Sequence, residues 1–196
     1  MLKPFRCLLV APLCLAALLS ATQAADDPKA KSGDKHHDAA DKSLPKEGVA
    51  VLMPTADNEA RGVVLFKEMD GMVYIKGKVI NLTPGKHGFH IHMYGDLRAA
   101  DGTSAGGHYD PDGHPHGGPD DQEHHAGDLG NIVANEDGVA MIDMKTKSFK
   151  LHFVIGRAVV VHGGVDDLKS QPSGDAGPRV AVGVVGFSNL ETKSDK

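Results

Sequence analysis

Seven of the chain's twelve histidines fall between Gly88 and Asp128, interleaved with aspartates and glycines. Imidazole and carboxylate are ordinary ligands of zinc and copper, so this stretch is a candidate metal site laid out along the chain. His90 and His92 alternate with Phe89 and Ile91. On a strand both imidazoles leave one face and the apolar pair leaves the other. Histidines so placed stand about 6.5 Å apart along the strand, near enough for both rings to lean toward one ion at ~2.0 Å. His108, His116, His125 and Asp128 follow in a loop rich in Gly, Pro and Asp, the composition of backbone that turns sharply. Three imidazoles and one carboxylate match closed tetrahedral zinc. A solvated loop that collects metal loosely is the competing reading, and it suits any one of these histidines better than it suits the set. His114 and His124 lie close enough to exchange places with His116 and His125.

Short strands separated by turn residues must position these groups. Val49 to Met53, Arg61 to Phe66, Met72 to Val79, the His90 strand, Asn131 to Ala134, Val139 to Met144, Ser148 to Phe153, Ala158 to Val161 and Val180 to Val185 all read as strands. Turns are expected at Met69-Asp70-Gly71, at Asn81 to Gly85 and at Asn135 to Gly138. With no convincing amphipathic helix, the pattern predicts an all-β fold, a β-sandwich or flattened barrel of about eight antiparallel strands.

The 196 residues allow one domain with something left over at the N-terminus. Residues 1–24 have the three parts of a secretory signal: Lys3 and Arg6, an apolar run from Cys7 to Leu19, and the exit Thr22-Gln23-Ala24. The run is shorter than the roughly 20 residues of a spanning helix and contains Pro12, which argues against a membrane span. Cys7 and Cys14 are the only cysteines, so cleavage after Ala24 leaves none. Residues 25–47 carry mixed charge and almost nothing large and apolar, and are expected to form a disordered linker in which His36-His37 are solvated. The folded domain is expected over 48–190, with a tail at 191–196. The formal net charge is −5, more negative once Lys3 and Arg6 leave, which excludes the basic surface that nucleic-acid binding requires.

Several segments together carry a family resemblance. GFHIH, Gly95-Asp96, TSAGGHYDP, HGGPDD, HHAGDLGN, GRAVVVHGGVDDL and GDAGPRVAVGVVG resemble, in order, the signature segments of the copper/zinc superoxide dismutase family, over about Gly48 to Asn189. The resemblance implies a Greek-key β-sandwich or flattened barrel with long metal-binding loops, and one copper and one zinc per chain. It implies copper ligands His90, His92, His108 and His162, and zinc ligands His108, His116, His125 and Asp128, with His108 shared. Asp166 matches the family's carboxylate that orients one copper histidine and one zinc histidine, here His90 and His116. Arg179 matches its arginine beside the copper, which orients the superoxide anion, and Lys169 is a weaker candidate for the same field. His87 matches a structural histidine.

The activity so implied is dismutation of superoxide to oxygen and hydrogen peroxide by redox cycling of copper, with zinc structural. His108 and Arg179 are then the catalytic side chains. The alternative is a non-catalytic copper/zinc-binding protein on the same scaffold, which would be expected to have lost a copper ligand or the arginine. The resemblance is to exported, bacterial-type members; the signal segment directs the mature chain to a periplasm or the extracellular space, and a homodimer is its candidate assembly, with the oligomeric state open. The family's usual disulfide is missing: its two places fall at Asp101 or Gly102 and at Val182.

Overall fold

The computed structural model describes residues 44–189. The signal segment 1–24, Cys7, Cys14, His36-His37, nearly all of the linker and the tail 191–196 lie outside the described residues. Among the described residues nine strands form: β1 Glu47–Pro54, β2 Arg61–Met69, β3 Met72–Ile80, β4 Gly85–His92, β5 Asp128–Ala134, β6 Ala140–Thr146, β7 Ala158–His162, β8 Arg179–Val184 and β9 Gly186–Phe187. The sheet runs β2-β3-β6-β5-β4-β7-β8-β1-β9, and β1 also pairs with β2. Every recorded pairing is antiparallel, so β1 to β8 close into a barrel, with the short β9 added along β1. Closure leaves the long barrel strands without a free edge.

Local chemistry explains the turns. Asp70 and Gly71 both have positive φ, 54° and 76°, the two-residue hairpin turn whose twist suits an antiparallel pair. Alternation explains the core. Ala50 and Leu52 on β1, Val64 and Phe66 on β2, and Val73 and Ile75 on β3 are buried, and each pair is separated by one residue of the opposite face. On β4, Phe89 and Ile91 enter this core. His90 and His92 leave the other face, yet both are buried, because the loops after β4 and β7 cover that side.

One expected strand is absent. Ser148 to Phe153 does not pair; Leu151–Val154 forms a single helical turn, α1, instead. Leu151 and Val154, three apart, are fully buried while Phe153 is exposed, the helical rather than the alternating pattern. The Leu151 amide donates to Glu68 Oε2 at 2.9 Å, giving the turn's first free N–H an acceptor. His152 therefore sits on this turn, its ring 4.1 Å from that of Phe153, and not on a strand. Asp128 likewise opens β5 opposite His90, where the sequence suggested a loop.

Candidate metal centre

Three strands and one loop supply the cluster, Asp128 coming from the start of β5. His90 and His92 come from β4 and His162 from the end of β7. The register slips between Gly88 and His90 against β5, and between Val161 and His162 against β8. Such irregularities re-aim side chains where pairing ends. His108 pairs by an isolated bridge with His92, and His116 and His125 lie in the loop between β4 and β5.

The donor atoms gather into two groups, His90, His92, His108 and His162, and His108, His116, His125 and Asp128. Within each group they lie within 4.8 Å of one another, and all seven residues are buried. In most of these rings the nitrogen turned away from the group is occupied. His92 Nδ1 donates to the Gly106 carbonyl at 2.8 Å and His162 Nδ1 to the Gly177 carbonyl at 3.0 Å. His90 Nε2 and His116 Nε2 donate to the two oxygens of Asp166, at 2.8 and 3.0 Å. What remains, His90 Nδ1, His108 Nε2, His116 Nδ1 and His125 Nδ1, is buried without a hydrogen-bond partner. Four orphaned buried nitrogens in one cluster are costly unless something accepts their lone pairs.

The distances fit metal ions. Asp128 Oδ1 stands 2.7, 3.1 and 3.3 Å from Nδ1 of His108, His116 and His125. Ligands at ~2.0 Å around a tetrahedral ion are about 3.3 Å apart. The other oxygen, Oδ2, accepts the Gly117 and His125 amides at 3.1 and 2.9 Å, which fixes the carboxylate. At the other end His92 Nε2 and His162 Nε2 face each other at 3.3 Å, each with its second nitrogen already donating. Two such lone pairs repel each other unless a cation lies between.

Protonation favours the same reading. Burial, with the neighbouring His90, lowers His162 to about 3, and burial lowers His108 to about 4 against the pull of Asp128. Burial and the charge of His108 also depress His92. These imidazoles are neutral at physiological pH, the state that ligates metal. His116 is the exception: burial opposes its charge, but the carboxylates of Asp128 and Asp166 beside it outweigh that and raise it to about 9, so a metal must displace its proton. Burial alone would raise Asp128 and Asp166, yet the histidine hydrogen bonds hold both below the usual carboxylate range.

Around the cluster, Arg179 opens β8 and donates to the carbonyls of Gly102 and Gly106. It lines a cleft of about 520 Å³ together with His92, His108, His162 and Ser173. Lys169 does not line this cleft; its amide donates to Asp167 Oδ1 at 2.9 Å. His87 bridges the carbonyls of His162 and Thr83, both at 2.8 Å, tying β4 to β7. His114 and His124 stand outside both groups, beside a larger cleft of about 940 Å³, with His124 Nδ1 on the His125 carbonyl at 2.7 Å. Gly102 is the residue that faces Val182: a Cβ there would lie 3.0 Å from Val182 Cγ1.

Three supports had no signal in the sequence reading. The Gln171 amide pairs with the His116 backbone as a strand would, accepting its N–H and donating to its C=O, both at 2.9 Å. The Asn131 amide does the same for Asp166, again at 2.9 Å twice. Gly174, with φ +67°, has no room for a side chain, since a Cβ would overlap the Asp166 carboxylate and the His116 ring.

The family model described as copper/zinc superoxide dismutase (SODC) matches residues 60–185. The chain is 42% identical over 150 residues to superoxide dismutase (Cu-Zn) 3 of Arabidopsis thaliana, covering 71% of this chain and 91% of that protein. It is 43% identical over 157 residues to the extracellular superoxide dismutase (Cu-Zn) of Onchocerca volvulus, covering 73% and 77%. Among solved structures, the crystal structure of the clock protein EA4 matches with a TM-score of 0.67 and 39% identity, over 74% of this chain and 96% of that one. A barrel whose buried histidines form two groups around one shared ring, matched over this length, belongs to the copper/zinc superoxide dismutase family, oxidoreductases that act on superoxide with copper and zinc.

Proposed function

We propose that His90, His92, His108 and His162 hold copper, that His108, His116, His125 and Asp128 hold zinc, and that two superoxide anions and two protons become oxygen and hydrogen peroxide in the cleft beside Arg179. The observation that carries this reading is the set of buried nitrogens without partners, aimed at two points on either side of His108. Copper, when bound, supplies one-electron oxidation and reduction, and zinc supplies a fixed charge without redox chemistry.

The chain's own residues do the rest. Arg179 is the cation at the cleft, and a net-negative protein must capture an anion through such local positive charge. Asp166 fixes the tautomers of His90 and His116 by accepting hydrogen bonds from both Nε2–H groups, which turns both Nδ1 lone pairs inward. His108 lines the same cleft, and its Nε2 is the atom at which a proton can be held and passed to the product. A non-catalytic carrier would need no guanidinium at the open end of the cluster.

The test is Arg179→Glu against Lys169→Glu. The first slows superoxide consumption about tenfold or more and the second does not, and the wild-type rate falls with added salt. Equal effects, or a rate independent of salt, would refute the assignment.

We further propose that the protein acts outside the cytoplasm, in a periplasm or the extracellular space. Residues 1–24 read as a secretory signal, relatives from Onchocerca volvulus and Brugia pahangi are named extracellular, and among the described residues no helix is long and apolar enough to cross a membrane. The mature chain then begins at Ala25, and an exported protein that retains residues 1–24 would contradict this. A homodimer is supported by exposed apolar side chains on adjoining strands: Val51 and Met53 of β1, Val184 of β8 and Phe187 of β9. Sedimentation should show two chains, and one after Val51→Asp with Phe187→Asp; a wild-type monomer would refute it.

A further inference from the structure

The corner between β1 and β2 reaches both of the elements that frame Arg179. Thr55, 6% exposed, donates its hydroxyl to the Arg179 carbonyl at 2.7 Å, and its amide donates to the Val180 carbonyl at 3.3 Å. The next amide, of Ala56, donates to the Ala100 carbonyl at 2.7 Å, in the loop after β4. Asn58 turns its side-chain amide back onto the Thr55 hydroxyl at 2.9 Å and the Ala56 carbonyl at 2.8 Å. A hydroxyl has one proton to give. Here it accepts from Asn58 and gives that proton to Arg179.

The loop in turn aims the guanidinium, through the carbonyls of Gly102 and Gly106. Gly102 has φ 77° and lies against this corner: a Cβ there would be 3.0 Å from Val182, 3.3 Å from Arg179 and 3.4 Å from the Thr55 methyl. Packing does not hold the Arg179 side chain by itself. It lines the metal-side cleft on one side and a second cleft of about 380 Å³, shared with Thr55 and Asn58, on the other. Among the described residues there is no cysteine, so no covalent link joins the loop to β8.

We propose that Thr55 is a positioning residue for Arg179, its hydroxyl holding β8 while the adjacent Ala56 amide holds the loop, so that the two carbonyls receiving the guanidinium keep their distance from its backbone. The catalytic consequence rests on the reading of Arg179 given above. The hydrogen-bond geometry of the corner does not.

The experiment uses the metal-loaded mature chain, its copper held as diamagnetic copper(I) for the NMR arm, with Thr55→Val, which keeps the shape and removes the hydroxyl, and Thr55→Ser, which keeps the hydroxyl. Two readouts are followed: the Arg179 Nε–H resonance by nitrogen NMR with backbone exchange over residues 99–106, and superoxide consumption. Loss of one such hydrogen bond corresponds to about a five- to tenfold change in local opening. In Thr55→Val the loop amides should exchange faster by that factor, the Arg179 signal should shift or broaden, and turnover should fall with both metals retained. Thr55→Ser should restore all three. Wild-type exchange and Arg179 signal in Thr55→Val would overturn the proposal, as would a Thr55→Ser variant as defective as the valine. A wild-type rate in Arg179→Ala would instead overturn the role of the arginine itself, and the NMR arm separates the two failures.

Discussion

Replacing Asp166 with asparagine changes one atom of the side chain and should cost a metal. Asp166 is buried, and its carboxylate takes three N–H groups: His90 Nε2 at 2.8 Å on one oxygen, and His116 Nε2 at 3.0 Å with the Leu168 amide at 2.7 Å on the other. An amide of the same shape has one accepting edge. In either orientation an NH₂ then faces an imidazole N–H in a fully buried site. A buried donor left without an acceptor costs about 1–3 kcal/mol, and a hydrogen bond to a charged acceptor is worth about 1.5–3 kcal/mol. The affected ring can escape by moving its proton to Nδ1, the atom that faces the metal, so the cost falls on metal binding. Loss of such a supporting carboxylate typically weakens binding about 10–100-fold, in the same range. The assay is competition with a calibrated chelator for copper and for zinc separately, on Asp166→Asn and wild type. One metal at least should be held about 10–100-fold more weakly, and which one identifies the ring facing the amide. Wild-type affinity for both metals would refute the reasoning.

Metal should also carry much of the stability. With seven buried candidate ligands and no disulfide among the described residues, chelation should lower the melting temperature by about 10 °C or more, while a thiol reductant changes nothing. An apo-protein melting within a few degrees of the holo-protein would show that packing alone holds the loops. The apo-protein should melt highest near pH 6.5. His108 and His162, held at about 4 and about 3, bind fewer protons when folded than when unfolded, so stability falls as pH drops from 6.5 toward 3. His116, raised to about 9, contributes stability that is fully present below 6.5 and lost as pH rises through 9. A melting temperature flat between pH 4 and 9 would contradict both assignments.

What could be seen in the sequence was whatever repeats or lies close along the chain. The alternation of His90 and His92 with Phe89 and Ile91 gave the strand and its two faces, and Asp70-Gly71 gave a hairpin turn that the backbone dihedrals match. Ser148 to Phe153 misled because six residues are too few to separate a period of 2 from one of 3.6, and Leu151 and Val154 follow the latter. The choice between His114 and His116, two residues apart, is made by groups distant in sequence: the Gln171 amide on the His116 backbone and Asp166 on its ring. Thr55 escaped notice for the same reason, its partner Arg179 being 124 residues away. Side-chain bonds to distant backbone leave no periodicity and no motif. The family segments made up part of that gap by fixing the order of the candidate ligands, but not the distant side-chain bonds that support them.

The central structural claim is that one imidazole, His108, stands between two metal ions, its Nδ1 2.7 Å from Asp128 and its Nε2 turned without a partner toward the other group. Two paramagnetic ions bridged by one deprotonated ring are coupled magnetically. The most direct measurement is therefore the copper(II) spin resonance of the protein with cobalt(II), and then zinc, in the second site. The account predicts that the copper signal is lost with cobalt and returns at full intensity with zinc. An undiminished copper signal while cobalt fills the His116, His125 and Asp128 site would contradict the shared ligand.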